Sequence, residues 1–466
     1  MFVASDGRNV LFTFILVSSL FLVWGFCNGL IDVMDKHFQD ELGLTRSQSA
    51  WVQFAHYLGY FLMSFPAGWL AGKLGYKGGI VAGLLIVAAG GLWFIPATHV
   101  SGLVQSGAVS PNTAFVVFLA GVCLIATGLT FLETIANPYT TVLGNARYAA
   151  ARINLAQSCN GIGWIFGPIV GSIYFYSTDS AGHSNGNQTL YIPYMGIAAV
   201  AIVLSGAFYF ASVPDIAMED DDRLDSAAAG ISRSIWSHSH FVMAIAAQFF
   251  YVAAQAGIFS FFINYMTAEL PAVPRSWSSS MNALAANAGP LSNWMTGWFV
   301  MGGKEALALS DKGASNLASL GFMLFLAGRF TGAMLLRKHS AHIILGAYAT
   351  VNVVATFLVF CKLGWLSVAC VFASYFFMSI MFPTIFALGI FGLGAGTKKA
   401  SSFIVMAIVG GAILPKVMGL VADRYDMSRG FIVPMLCFTF VAFYGFWWPR
   451  FCVFGPLQEA TNTLGH

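Results

Sequence analysis

The chain predicts an all-α membrane protein, with twelve transmembrane helices in two pseudo-symmetric six-helix bundles. Three observations carry this. Hydrophobic residues make up 58% of the 466 and charged residues only 9%, against about 25% charged in a soluble domain. Twelve apolar segments, near the ~20 residues that a bilayer crossing needs, run over 10–34, 48–72, 78–97, 113–143, 149–177, 189–213, 238–266, 315–337, 341–361, 364–391, 400–421 and 430–449. A polar, acidic stretch, DIAMEDDDRLDSAAAGISRSIWS, separates the sixth segment from the seventh. The bundles are therefore 1–214 and 238–466, joined by a cytoplasmic linker over 215–237.

The residues before the first apolar run, MFVASDGRN, lack the cleavage pattern and short h-region of a signal peptide. The first helix is expected to stay as a signal anchor. With both termini in the cytoplasm, thirteen of the 22 Lys and Arg fall inside, Arg329 among them. That bias favours the orientation. The fourth segment carries NPYTTVLG and the tenth FPTIFALG, with Pro138 and Pro383 each six residues before a Gly. The fifth carries GIGWIFGPIVG and the eleventh VGGAILPKVMG. Such echoes between halves predict a parallel repeat with a substrate site at the midplane. Residues 269–314 read as a long outside loop, with an interfacial helix around NWMTGWFVM, because Trp favours the membrane boundary. Asp35 and Asp40 are placed in the first outside loop and solvated. The seven cysteines lie mostly in apolar segments and form no C-x-x-C, so they read as small apolar fillers.

Polar side chains inside the segments carry the function. Glu133 lies in the middle of the fourth segment and Asp32 near the end of the first. A carboxylate at such depth costs about 2.5–3.5 kcal/mol on insertion scales and escapes the cost by binding a proton. Two such acids point to proton-coupled movement of a polar solute. Asn28 shares a helix face with Asp32, and Asn137 with Glu133. Asn154, Gln157 and Asn160 step by three along the fifth segment. Gln248, Tyr251 and Gln255 share a face of the seventh. Amides both donate and accept, as sugar hydroxyls do, so the set predicts a sugar-sized polar cavity. The alternative is interhelical bonding at about 0.6 kcal/mol per contact. His56 is expected to bond a backbone carbonyl rather than line the cavity, and Lys416 to snorkel to the interface. A net charge of +3 gives no reason to expect nucleic acid. No P-loop, zinc spacing or G-x-S-x-G elbow occurs, so neither ATP-driven transport nor an enzyme is expected, and no cofactor beyond the coupling ion.

The stretches WGFCNGLID, LGYFLMSFPAGWLAGKLGYKGGI, LETIANPYTTVLG, RINLAQSCN, AQFFYVAAQ, GRFTG, FPTIFALGI and SSFIVMAIVGGAI resemble the fucose–proton symporter family of the major facilitator superfamily, over nearly the whole chain. The LETIANP and RINLAQ stretches are specific; GRFTG alone is weak. The resemblance implies alternating access and uptake of a monosaccharide with a proton. It implies that Asp32 and Glu133 are the proton-coupling acids. Gln157 matches a sugar-contacting amide with Asn160 beside it, and Gln248 and Gln255 match a polar face. Asn28 and Asn137 join them as substrate-binding candidates. The chain departs from the family at Gly29, where fucose carriers have Asn, at Phe259 for Trp and at Met381 for Gln. His56, Lys416 and the 269–314 insertion depart too.

The expected function is proton-coupled uptake of L-fucose or a related sugar by a monomer in the bacterial inner membrane. Sodium-coupled uptake of glucose, galactose or N-acetylglucosamine is the first alternative, and a sugar receptor without transport the second. An exporter of amphipathic compounds would call for an apolar cavity rather than an amide-rich one.

Overall fold

A computed structural model of the chain describes residues 9–143, 149–176, 189–211, 235–286, 296–301, 307–336, 339–391, 393 and 397–452. In the N-terminal half, α1 (Leu11–Leu42), a short α2 (Arg46–Ser49), α3 (Trp51–Gln105), α4 (Pro111–Val142), α5 (Ala149–Tyr174) and α6 (Tyr191–Phe210) follow one another. In the second half, α7 (Ser239–Ser260) and α8 (Phe262–Glu269) form one interrupted rod. Then come α9 (Arg275–Ala286), β1 (Phe299–Met301), β2 (Leu307–Leu309), α10 (Asp311–Leu336) and α11 (Ala341–Phe360). The chain finishes with α12 (Trp365–Met378), α13 (Met381–Ile390), α14 (Thr397–Met406), α15 (Gly410–Arg424), α16 (Met427–Gly430) and α17 (Ile432–Phe451).

Ten spans among the described residues are long and apolar enough to cross a membrane. The first part of α3 and the 26-residue α5 supply the places of the second and fifth predicted spans. At 1.5 Å per residue the 55 residues of α3 would run about 80 Å, far more than one bilayer. Gly75 breaks the rod with φ 69, a backbone region that suits glycine because it has no Cβ. Pro383 sits in the first turn of α13, where its missing N–H costs nothing, and the tenth span is divided just before it. The eleventh span passes through a single 3₁₀ turn at Ala407–Val409.

Two predicted features are corrected. The first helix does not stop near residue 34. It continues until Gly43, whose φ of 65 makes the left-handed cap, so Asp35 is a fully buried helical residue and not a loop residue. Asp40 is exposed and pairs with Lys36 at 2.5 Å. In the 269–314 segment, the described end of NWMTGWFVM is a strand rather than a helix: Phe299–Met301 pairs antiparallel with Leu307–Leu309. The helix of that segment is α9, which brings Trp277 to 6.0 Å from Trp365.

Small residues set the packing. In lipid, helices gain little from burying apolar surface, so close backbone approach decides association. Gly25 and Gly29 on α1 face Gly163 and Gly167 on α5. A Cβ on Gly25 would stand 2.0 Å from the Asn160 carbonyl oxygen, and one on Gly163 2.3 Å from that of Leu22. Gly29 lies against Trp164 and Gly167; an Asn would not fit there without parting the helices. The two halves meet where α5 packs on α10, and where α15 packs on α2 and α3.

The end of the molecule carrying α2, called the distal face below, is tied across the two halves. Asp423 accepts the Arg46 and Ser47 backbone N–H groups at 3.0 and 2.9 Å, and the Arg46 guanidinium donates to the Ala422 carbonyl at 2.8 Å. Gln39 and Asn264 bond side chain to side chain at 2.5 Å. Ser172 bonds Asn316 at 2.6 Å. Lys416, expected to reach the interface, instead sets its ammonium 3.5 Å from the centre of the Trp51 ring, a cation–π contact between halves.

The glycine contact generates a stability prediction. Gly163→Ala should lower the thermal unfolding midpoint in detergent, with a cost of about 1–3 kcal/mol for overpacking. Gly196→Ala, which would meet nothing within 4 Å, should be neutral or slightly stabilising, since Ala favours helix by about 1 kcal/mol. Equal midpoints for the two variants would contradict the close-packing account.

Candidate functional site

Helix periodicity places Asn28, Asp32 and Asp35 on one face of α1. Asp32 is 6% exposed and Asp35 0%. Gln53 from α3 donates to Asp32 Oδ1 at 3.1 Å, while Oδ2 has no hydrogen-bond partner among the described residues. Asn28 is half-buried and its Oδ1 is likewise unbonded.

The first part of α3 is the side of the site that sequence reasoning missed. Gln53, Tyr57 and Tyr60 follow i, i+4, i+7 and form one stripe. Gln53 reaches Asp32. Tyr57 lies between Asp32, Glu133 and Tyr251 of α7. Its ring also fills the space beside Gly411 of α15, where a Cβ would stand 2.4 Å from it. The Tyr60 hydroxyl accepts the Trp24 indole N–H at 2.7 Å and faces Glu133, which is 8% exposed. Seven residues of helix separate Gln53 from Tyr60, so the stripe spans about 10 Å along the bundle axis. The two acids therefore sit at opposite ends of one polar ladder. The i, i+4, i+7 spacing in WVQFAHYLGYF was the available signal. His56 is buried, its Nδ1 makes no hydrogen bond, and its ring packs on Tyr57 and Tyr60 at 5.1 and 5.0 Å. The expected carbonyl bond is thus absent at that nitrogen.

On the second half, Gln248 is fully buried and neither atom of its amide is hydrogen-bonded. Tyr251 donates to the Met378 carbonyl at 3.0 Å, and Gln255 is half-buried. Phe259 stacks on Tyr375 at 4.6 Å and meets Trp164 of the first half edge-on at 5.4 Å. Met381 is fully buried. Arg329, counted with the cytoplasmic charge, is instead half-buried within α10. It donates to the Gln157 carbonyl at 3.4 Å and lies 4.8 Å from the centre of the Phe325 ring. This cation joins the halves next to the fifth-span amides.

The amides of the fifth span divide. Gln157 is half-buried. Asn160 is 3% exposed and donates to the Phe21 carbonyl at 3.3 Å, so here it ties α5 to α1. The side chains of Asn137 and Asn154 lie outside the described residues. A crevice of about 600 Å³ between α1, α5 and α6 is lined by Leu22, Phe26, Phe166, Tyr174 and other apolar groups. It contains none of the acids or amides named above.

Comparison with known proteins decides the family. Residues 10–362 match the family model "Major Facilitator Superfamily". The L-fucose-proton symporter of Escherichia coli is 32% identical over 458 residues, covering 94% of this chain and 93% of that protein. The chain belongs to the fucose–proton symporter family of the major facilitator superfamily. A Brucella abortus protein named glucose/galactose transporter is 30% identical over 443 residues, with 95% of each chain covered. The crystal structure of FucP, a transporter of this superfamily in the outward conformation, superposes with TM-score 0.64 at 30% identity, covering 96% of this chain and 100% of that one. A D-xylose-proton symporter at 12% identity and TM-score 0.66 shares the fold. This protein is therefore a multi-pass membrane sugar transporter and not an enzyme.

The Trp24–Tyr60 bond is a testable element of the site. Tyr60→Phe removes the acceptor and leaves a largely buried indole N–H unpaired. The expected cost is about 1–3 kcal/mol, read as a lower thermal midpoint. A midpoint equal to that of the parent protein would show that the bond contributes nothing.

Proposed function

We propose that the protein imports a monosaccharide together with a proton by alternating access, with L-fucose the leading substrate. The observation that carries this reading is the ladder of α3 with a buried carboxylate at each end. Among the described residues neither Asp32 nor Glu133 has a Lys or Arg partner. An ionised carboxylate there has no compensating charge, and a bound proton removes the cost. No further cofactor is needed. In this reading Glu133 handles both proton and sugar, and Asp32 governs proton release and reorientation. Gln157, Gln248, Gln255 and Asn28 offer amide donors and acceptors to the sugar; Asn137 and Asn160 stand beside them in the sequence pattern. Arg329 is added as a link between substrate amides and the second half. Both termini are assigned to the cytoplasm of a bacterial inner membrane and the unit to a monomer. The distal face is then the outer one, and the Asp423 clasp closes the outer side.

Glucose or galactose is the second substrate reading. The relative named for those sugars matches almost as well as the one named for fucose. The three departures also bear on it. Gly29 presents no amide because α5 presses on it, Phe259 is held in an aromatic cluster, and Met381 is buried. Uptake of a panel of labelled sugars by cells lacking their own carriers separates the two.

Coupling is tested by alkalinisation of the medium when sugar is added to de-energised cells. Glu133→Gln mimics the protonated acid and should allow sugar exchange while abolishing uphill accumulation. Asp32→Asn should lose proton-driven uptake. If both variants keep the pH signal, the coupling site lies elsewhere.

Gln157→Ala should weaken binding of the transported sugar by one to two orders of magnitude, since a sugar hydroxyl would lose its partner at about 1–3 kcal/mol. Unchanged affinity would reassign Gln157 to helix packing.

A further inference from the structure

Asp35 is used by nothing described so far. It lies one turn beyond Asp32, is 0% exposed, and neither carboxylate oxygen is hydrogen-bonded. Two polar side chains face it without closing a bond: Gln53 of α3, whose amide N–H serves Asp32, and Ser260 at the end of α7. Ser260 is itself fully buried with its Oγ unbonded. Asp35 thus looks across the boundary between the halves at a hydroxyl that has no other hydrogen bond among the described residues.

The charged surroundings offer no counter-ion. Lys36 points away to Asp40 and Asp311, at 2.5 and 3.6 Å. His37 packs on Phe175 at 5.6 Å. From the segment after α5, Tyr176 gives its hydroxyl to the Val33 carbonyl at 3.0 Å. From α6, the Tyr194 hydroxyl goes to Met34. From α12, Tyr375 lies near Asp32. Arg329 is engaged with the Gln157 carbonyl. Asp32 and Asp35 are three apart on one helix face, with Cβ atoms about 5–6 Å apart, and their carboxylates repel strongly when both are ionised in a medium of low dielectric. Each must take up a monovalent cation whenever the site is dry.

The position supplies the alternation. One turn further along α1 is Gln39, which is bonded to Asn264 in the distal tie between the halves. Along α1, Asp35 lies nearer that tie than Asp32, so a parting of the tie would expose Asp35 first. When it closes, Asp35 is sealed against Ser260, and Asp32 lies one turn further in.

We propose that Asp35 is a second proton-carrying acid, so that two protons move with each sugar. Asp32 and Glu133 pass one of them and Asp35 adds the other. In each case a carboxylate binds one proton to become a neutral acid and releases it as a carboxylate. The inference rests on the proton-coupled reading above.

The test uses the full chain in proteoliposomes under an imposed proton-motive force, with the transported sugar and with either choline or sodium as the bulk cation. The parent protein should show two protons per sugar in both media. Asp35→Asn should show one, so that its accumulation ratio at steady state is the square root of the parent's. Asp35→Glu should restore two. If Asp35→Asn loses sugar exchange, Asp35→Ser takes its place. One proton per sugar in the parent, two in the neutral variant, or a second charge seen only in sodium overturns the inference. A ratio of zero overturns proton symport itself, and so separates the two failures.

Discussion

Carboxylates held away from water without a cation beside them govern this molecule. In the lipid-facing parts every backbone group must be bonded within its own helix, and the spans do that almost by themselves. The acids cannot be satisfied in that way. Asp32, Asp35 and Glu133 are all turned into the protein, Asp35 toward the boundary between the halves, and what surrounds them is neutral: Gln53, Tyr57, Tyr60, Trp24 and Ser260. Neutral donors steady a carboxylate without locking it in one ionisation state, as a Lys or Arg at contact distance would. An acid with such neighbours can exchange its proton when its access to water changes.

The glycines make that arrangement possible. The α1–α5 contact through Gly25, Gly29, Gly163 and Gly167 brings two backbones together. It fixes the rotation of α1 so that the face bearing Asn28, Asp32 and Asp35 looks toward α3 and α7 and not toward lipid. The same close approach costs the chain a side chain at Gly29. Packing decides what this residue can be: the position cannot hold an amide while α5 lies where it does.

The boundary between the halves is held largely by polar contacts. On the distal face it is held by hydrogen bonds to Asp423, by Gln39–Asn264 and by the ammonium of Lys416 on Trp51. Deeper in, Ser315 and Ser319 give their hydroxyls to the Pro168 and Ile165 carbonyls, both at 2.8 Å, and Arg329 bonds the Gln157 carbonyl. Neutral hydrogen bonds of this kind are each worth about 0.5–1.5 kcal/mol net, and those to the charged groups about 1.5–3 kcal/mol. A few of them can be exchanged for water at modest cost, which suits an interface that must open and shut. The aromatic cluster of Trp164, Phe259, Phe322 and Tyr375 sits within the same boundary and gives it an apolar centre.

The sequence by itself determined the class of the molecule. Apolar runs of the right length, an acidic break at the middle and Pro–Gly echoes between halves are local properties, and they predicted the spans because a bilayer reads local hydropathy. Glu133 and Asp32 were legible for the same reason, as charges out of place in greasy segments. The motif resemblance pointed to the family that the comparisons then established. What only the tertiary structure decided depends on which faces meet. Asp35 read as a loop residue because hydropathy falls after residue 34, but the helix runs on to Gly43 and buries it. Arg329 read as a cytoplasmic charge because nothing in its own helix shows that the Gln157 carbonyl lies opposite. Gln53, Tyr57 and Tyr60 gained their place only because α3 packs between the acids. Burial and partnership come from the packing of distant segments, and a single helix does not encode its neighbours.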